Sequence, residues 1–124
     1  MAQLQITLKG EKYDLATNLR VAYKIQGQHN HKPYGDVFKN IATMVIEQQI
    51  ALLFVAFNIS NPSVMTASEF LEAVLDEHGI ATIMELISLM VEGIMYHGMP
   101  EDKVAEAKQK QKDAEAEQKM KANR

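Results

Sequence analysis

The chain has 124 residues, 13 of them basic and 16 acidic, for a formal net charge of −3, and it contains no Cys. A length of this order suits one domain with a modest core, and the lack of Cys excludes disulfides, thiolate nucleophiles and Cys-built zinc sites and fits a reducing cytosol. Residues 1–35 carry five basic and two acidic side chains, whereas residues 36–100 carry eight acidic and one basic, Lys39; an acidic centre repels phosphate and argues against nucleic acid as the main partner.

Leu4, Ile6 and Leu8 alternate with Gln3, Gln5 and Thr7. Period two marks a strand with one buried face. Lys9-Gly10-Glu11 makes a turn, and Lys12 to Leu15 returns with Tyr13 and Leu15 on one side. A two-stranded hairpin is marginal alone, so helices are expected to cover it. The first residues form no apolar run of the signal-peptide kind.

Asn18 is placed to cap a short helix, Leu19 to Gln26, ended by Gly27, with Leu19, Ala22 and Tyr23 on one face. Gln28 to Gly35 has turn residues and no periodicity, and reads as a loop. A long helix follows, capped by Asp36 and carrying Val37, Phe38, Ile41, Val45, Leu52 and Val55 at a 3.6-residue repeat. Its stretch Ile50 to Phe57 is apolar on every side, too short to cross a bilayer but in need of cover all round.

Thr66-Ala67-Ser68-Glu69 matches the capping box, with Met65 and Phe70 spaced as a hydrophobic staple. The helix Ala67 to His78 is expected to bury Phe70, Leu71, Val74 and Leu75 and to end at Gly79 as its C′ residue. Ile80 to His97 reads as a further helix with Ile83, Met84, Ile87, Met90, Val91 and Ile94 on a wide apolar face, stopped by Gly98. Pro100 opens a tail of Ala, Lys, Glu and Gln whose large apolar residues are Val104 and Met120. The pairs Glu106–Lys110, Glu115–Lys119 and Glu117–Lys121 support a solvated helix by roughly 0.2–0.5 kcal/mol each, with disorder until binding as the alternative. The expected fold is mainly α: a small bundle of about four helices over residues 1–100, fronted by a short β-hairpin and trailed by a charged, partly disordered tail over residues 101–124.

The residues offer little for catalysis. His29, His31, His78 and His97 lack metal-ligand spacing, and His78 and His97 each precede a Gly at a helix end, where a cation suits the helix dipole. Asp76-Glu77 and Glu101-Asp102 lie in polar helix-end surroundings unsuited to general acid–base work. Gly27 and Gly35 are isolated and form no phosphate loop. The reading is a protein that is not an enzyme, needs no cofactor or metal, avoids nucleic acid and membrane, and binds other protein chains. Ile50, Leu53, Phe54, Phe57, Met90 and Met95 are the candidate partner or protomer contacts, with plain core as the competing reading for the stripe from Ile50 to Phe57. Met is flexible and polarizable, so a surface built from it re-packs around varied partners.

The opening Ile6-Thr7-Leu8-Lys9-Gly10-Glu11-Lys12-Tyr13-Asp14-Leu15 resembles the short I-x-L-x-G-x-x-Y-x-L hairpin of the tail assembly chaperones of long-tailed phages. The order that follows (short helix, long apolar helix, two more helices, charged tail) is similar to that family, and the likeness covers roughly residues 4–100. The resemblance implies a protein of the host cytoplasm that coats the tape measure protein, keeps it soluble, helps recruit tail tube protein and is absent from the mature virion. It also implies self-association, and the basic front and acidic centre favour a head-to-tail spiral or ring. A structural or adaptor protein of the virion, such as a head–tail component, is the alternative, followed by a small regulatory protein.

Overall fold

The computed structural model describes residues 3–122, with side chains to residue 114. It is mainly helical. Strands β1 (Gln5–Leu8) and β2 (Glu11–Asp14) form an antiparallel hairpin in which Leu8 pairs with Glu11 and Gln5 with Asp14. Six α-helices follow: α1 (Leu19–Gln28), α2 (Tyr34–Lys39), α3 (Ile46–Ser60), α4 (Ala67–Glu77), α5 (Ile80–Tyr96) and α6 (Glu101–Ala122).

The hairpin turn is two residues long. Lys9 and Gly10 have φ of 51° and 80°, the doubly positive geometry of a type I′ turn, which matches the twist of the flanking strands. Glycine bears this without strain at the second position. Ile6, Leu8 and Leu15 turn inward and are buried. Tyr13 packs edge-on to Phe57, with ring centroids 5.3 Å apart. Its hydroxyl donates to the Glu11 carboxylate at 3.1 Å, and that bond, with some desolvation and the Glu11 charge, holds the phenol above its ordinary pKa.

In a two-residue hairpin the pair flanking the turn exchanges hydrogen bonds, so the backbone groups of Thr7 and Asp14 face away from the partner strand. Both outward carbonyls are taken. His78 Nε2 donates to Thr7 O at 2.7 Å, and Asn61 Nδ2 donates to Asp14 O at 2.9 Å. The Lys9 amide donates to Glu77 Oε1 at 2.7 Å, and the Ala16 amide to Ala56 O at 3.1 Å. The end of α4 thus covers the outer edge of β1 at Thr7 and the end of α3 that of β2 at Asp14, edges that would otherwise be open to pairing.

Helix α3 is the centre of the fold. It packs against α1, α4, α5 and β2, and this wrapping accounts for most of its apolar side chains, with Ala51 exposed on the face of Glu47 and Asn58. Ile50, Leu52, Leu53, Val55, Ala56 and Phe57 are buried, while Phe54 is half-buried. Gln49 is the buried polar residue of the core, and its Nε2 donates to Ile41 O at 3.0 Å.

Several expectations are corrected. The long helix from Asp36 to Phe57 is two helices, with a 3-10 turn at Ile41–Thr43 between them. Asn40 and Thr43 divert the backbone: Asn40 Nδ2 donates to Asp36 O at 2.9 Å and Thr43 Oγ1 donates to Asn40 O at 2.8 Å. Short polar side chains of this kind compete with helical backbone bonds. Asp36 accordingly lies in the first turn of α2, whose N-cap is Pro33. Asn18 does cap α1, its side chain accepting from the Arg20 amide, but the buried face is Val21, Ala22 and Ile25, and the helix runs past Gly27 to Gln28. Leu19 and Tyr23 face solvent. Leu75 is likewise exposed on α4, and Gly79, with φ of −96°, is the N-cap of α5 in place of a left-handed C′ residue. The body therefore contains five helices where about four were expected.

The capping box of α4 is formed in full. The Glu69 amide donates to Thr66 Oγ1 at 3.1 Å and the Thr66 amide to Glu69 Oε1 at 3.2 Å. Thr66→Ala is expected to lower stability by about 1 kcal/mol, read as a shift of the urea midpoint at unchanged slope. Thr66→Ser should retain most of the wild-type value.

Gly98, with φ of 77°, ends the run that leads from α5 to α6, and α6 leaves at 115° to α5. The tail is helical through the described residues. Glu101 and Asp102 sit in the first turn, where the helix dipole favours acids. Glu106 pairs with Lys103 at 3.6 Å, not with Lys110. Met120 and the pairs Glu115–Lys119 and Glu117–Lys121 lie outside the described side chains. Among the described residues no single helix is long and apolar enough to cross a membrane.

Candidate protein-binding surface

The six candidate contact residues separate into two groups. Ile50, Leu53, Phe57 and Met90 are interior residues, each no more than 2% exposed. This corrects their assignment as contacts: they touch other parts of this chain and present no surface. Phe54 is half-buried, stacked on Phe57 and tilted against Phe70 at centroid distances of 6.2 and 5.4 Å. Met95 is the candidate that reaches solvent, at 54% exposure.

Met95 belongs to a larger surface that periodicity alone left undefined. One side of α5 buries Ile83, Leu86, Ile87, Met90, Gly93 and Ile94. The other side leaves Leu89 and Met95 exposed on either side of Glu92, and Met99 is exposed beyond the helix end. Two grooves lie on this side, and Glu92 lines both. One, of about 500 Å³, has Val91, Met95 and Tyr96 of α5 as its floor and Lys108, Gln111 and Lys112 of α6 as its wall. The second, of about 610 Å³, lies between α5 and the start of the hairpin, with Leu4, Thr17, Leu89, Tyr96 and Met99 along it. The signal for this surface was in the sequence as Leu89, Met95 and Met99, the apolar residues of α5 and its exit that fall off the main face.

Helix α6 holds its position by polar contacts. Lys108 forms an ion pair with Glu92, its ammonium stands 5.9 Å from the Tyr96 ring centroid, and Tyr96 Oη donates to Gln111 Oε1 at 3.5 Å. Both charged partners are more than a third exposed, so the pair contributes at most about 1 kcal/mol. The wall of the first groove is therefore lightly held, while its floor is fixed by the core.

The residues weighed for chemistry are dispersed. His29 and His31 flank Asn30 in the loop after α1, and both Asn30 and His31 have positive φ. His78 binds the hairpin, and His97 caps the end of α5. Asp76 and Glu77 end α4, and Glu101 and Asp102 begin α6. Among the described residues no three His, Asp or Glu side chains are grouped as metal ligands. No family model, curated protein or solved structure matches this chain.

Proposed function

We propose that this protein is a tail assembly chaperone of a long-tailed phage, binding the tape measure protein in the host cytoplasm and keeping it soluble while tail tube protein is recruited. The observation that carries the reading is the exposed, methionine-bearing apolar surface of α5 and its exit, with Met95 on one groove and Leu89 and Met99 on the other. A chaperone for long amphipathic helices needs apolar surface that accepts many sequences, and unbranched Met side chains adapt to varied contours. A client helix laid along α5 would bury these side chains by the helix-in-groove mode. The hairpin resemblance supplies the identity of the client.

The test is co-expression with the candidate tape measure protein. The wild-type chain is expected to raise the soluble fraction of the client and to co-purify with it. A Leu89→Glu/Met95→Glu variant should lose the complex and keep its fold, since both side chains already face solvent. Unchanged client solubility together with no co-purification would overturn the reading.

A further inference from the structure

Helices α1 and α4 present the same pattern with opposite charge. On α1, Leu19 and Tyr23 form an i,i+4 apolar pair, and Arg20 and Lys24 run beside them one residue later. On α4, Leu71 and Leu75 form the apolar pair, and Glu72 and Asp76 run beside them one residue later. The two helices are also buried in the same frame: the residues two and three positions after the first leucine, Val21 and Ala22 on α1 and Ala73 and Val74 on α4, face the core. The charged pairs therefore both point outward, as do Leu19, Tyr23 and Leu75, while Leu71 is half-buried against the core.

Tyr23 is 77% exposed and Leu19 68%, a high exposure for side chains of this size. Arg20 and Lys24 are exposed beside them, with no acidic residue on that helix. The surface around Leu75 is the concave counterpart. A groove of about 210 Å³ runs between α3, α4 and α5, lined by Ile46, Leu75 and Ile80, which are exposed, and by the buried Ile83. Glu72 and Asp76 do not line the groove but are exposed on α4 next to Leu75, whereas Glu77 is engaged by the Lys9 amide.

We infer that the α1 ridge of one copy docks in the α3–α4–α5 groove of a second copy, with Arg20 and Lys24 facing Glu72 and Asp76. On both helices the charged pair lies on the same side of the apolar pair when viewed from N- to C-terminus. Facing helices bring like sides together only when they run antiparallel, so the docked α1 runs antiparallel to α4. The apolar contact supplies affinity, and the exposed charge pairs, individually weak, set orientation and partner choice. Ridge and groove are different surfaces of one chain. The contact is heterologous, leaves a free ridge at one end and a free groove at the other, and propagates to a ring or filament. It is independent of any client bound on α5.

The full chain alone tests this by light scattering and sedimentation over rising concentration. The wild type is expected to form species larger than a dimer that shrink as salt rises. Arg20→Glu/Lys24→Glu and Glu72→Lys/Asp76→Lys variants, each checked for wild-type circular dichroism, should both lose self-association. Mixed together they should regain growth in alternating order, since the native ridge of the second meets the native groove of the first and the reversed ridge of the first meets the reversed groove of the second. All four reversals in one chain should restore growth. A wild type that stays monomeric to millimolar concentration, reversal variants that associate like the wild type, or mixtures that stay monomeric would each overturn the inference. Client solubility is not read in this experiment, so its outcome is separable from that of the chaperone test.

Discussion

Phe57→Ala is expected to destabilise the protein by about 3–5 kcal/mol, the range for removing a fully buried aromatic ring. Phe57 is 0% exposed and lies in a cluster with Tyr13, Phe54 and Phe70, its ring centroid 4.9 Å from that of Phe70. It joins three elements: the hairpin through Tyr13, α4 through Phe70, and its own helix α3. Truncation removes the transfer free energy of the ring and leaves a cavity that α3, held against α1, α4, α5 and β2, closes only in part. Against a typical total stability of about 5–15 kcal/mol, the loss takes much of what the fold has. Met95→Ala, by contrast, should change stability by no more than about 0.5 kcal/mol. Urea denaturation of the pair measures the difference. A Phe57→Ala midpoint close to that of Met95→Ala would place the ring on a surface and refute the packing.

Gly93→Ala is the second substitution with a large expected effect. A Cβ at Gly93 would lie 2.7 Å from Thr17 Cβ and 2.9 Å from Thr17 Cγ2. Thr17 belongs to the segment between the hairpin and α1, so this close approach sets how the hairpin exit rests on α5. In an exposed helix, Gly to Ala raises stability by up to about 1 kcal/mol through propensity. Here the clash outweighs that gain, since forcing extra atoms into packed structure costs about 1–3 kcal/mol. A net loss of about 1–2 kcal/mol is expected from the two ranges. Thr17→Ala keeps the offending Cβ and should relieve little, whereas Thr17→Gly combined with Gly93→Ala should recover most of the loss. A double-mutant cycle by thermal or chemical denaturation gives the coupling. Additive effects would mean that the helix and segment move apart freely.

Gly93 also marks what the sequence conveyed and what it did not. The hairpin was legible because strand periodicity and turn chemistry agreed, from Ile6 and Leu8 through Lys9-Gly10 to Tyr13. The start of α4 was legible because Thr66, Glu69, Met65 and Phe70 stand at spacings that local geometry demands. The face of α1 was not. Its seven residues Leu19 to Ile25 contain two apolar stripes, Leu19–Tyr23 and Val21–Ala22–Ile25, and only packing against α3 decides between them. The break at Asn40 to Val45 was hidden by the apolar repeat running through it, although Asn40 and Thr43 carry the competing side chains. The candidate surface was legible at Met95 alone. For Ile50, Leu53, Phe57 and Met90, apolarity on all sides signals enclosure by neighbours as readily as by partners, and a single sequence does not count the neighbours. The pairing of α1 with α4 depends on both helices having their buried frames fixed, which requires the fold.

The cover over the hairpin edge has a consequence for the order in which the chain becomes safe during synthesis. Thr7 is bonded by His78, 71 residues later in the chain. At about 5–20 residues per second the ribosome needs about 4–14 s to supply that residue after the strand has been made. Throughout that interval the edge of β1 lacks its His78 cover, and for most of it Ile6 and Leu8 lack α4, the helix that packs on β1. The lag leaves the nascent hairpin open to mispairing with neighbouring chains on a polysome. Lys9 in the turn and Lys12 on β2 put like charges on each copy at that stage, before α4 is there to shield the edge.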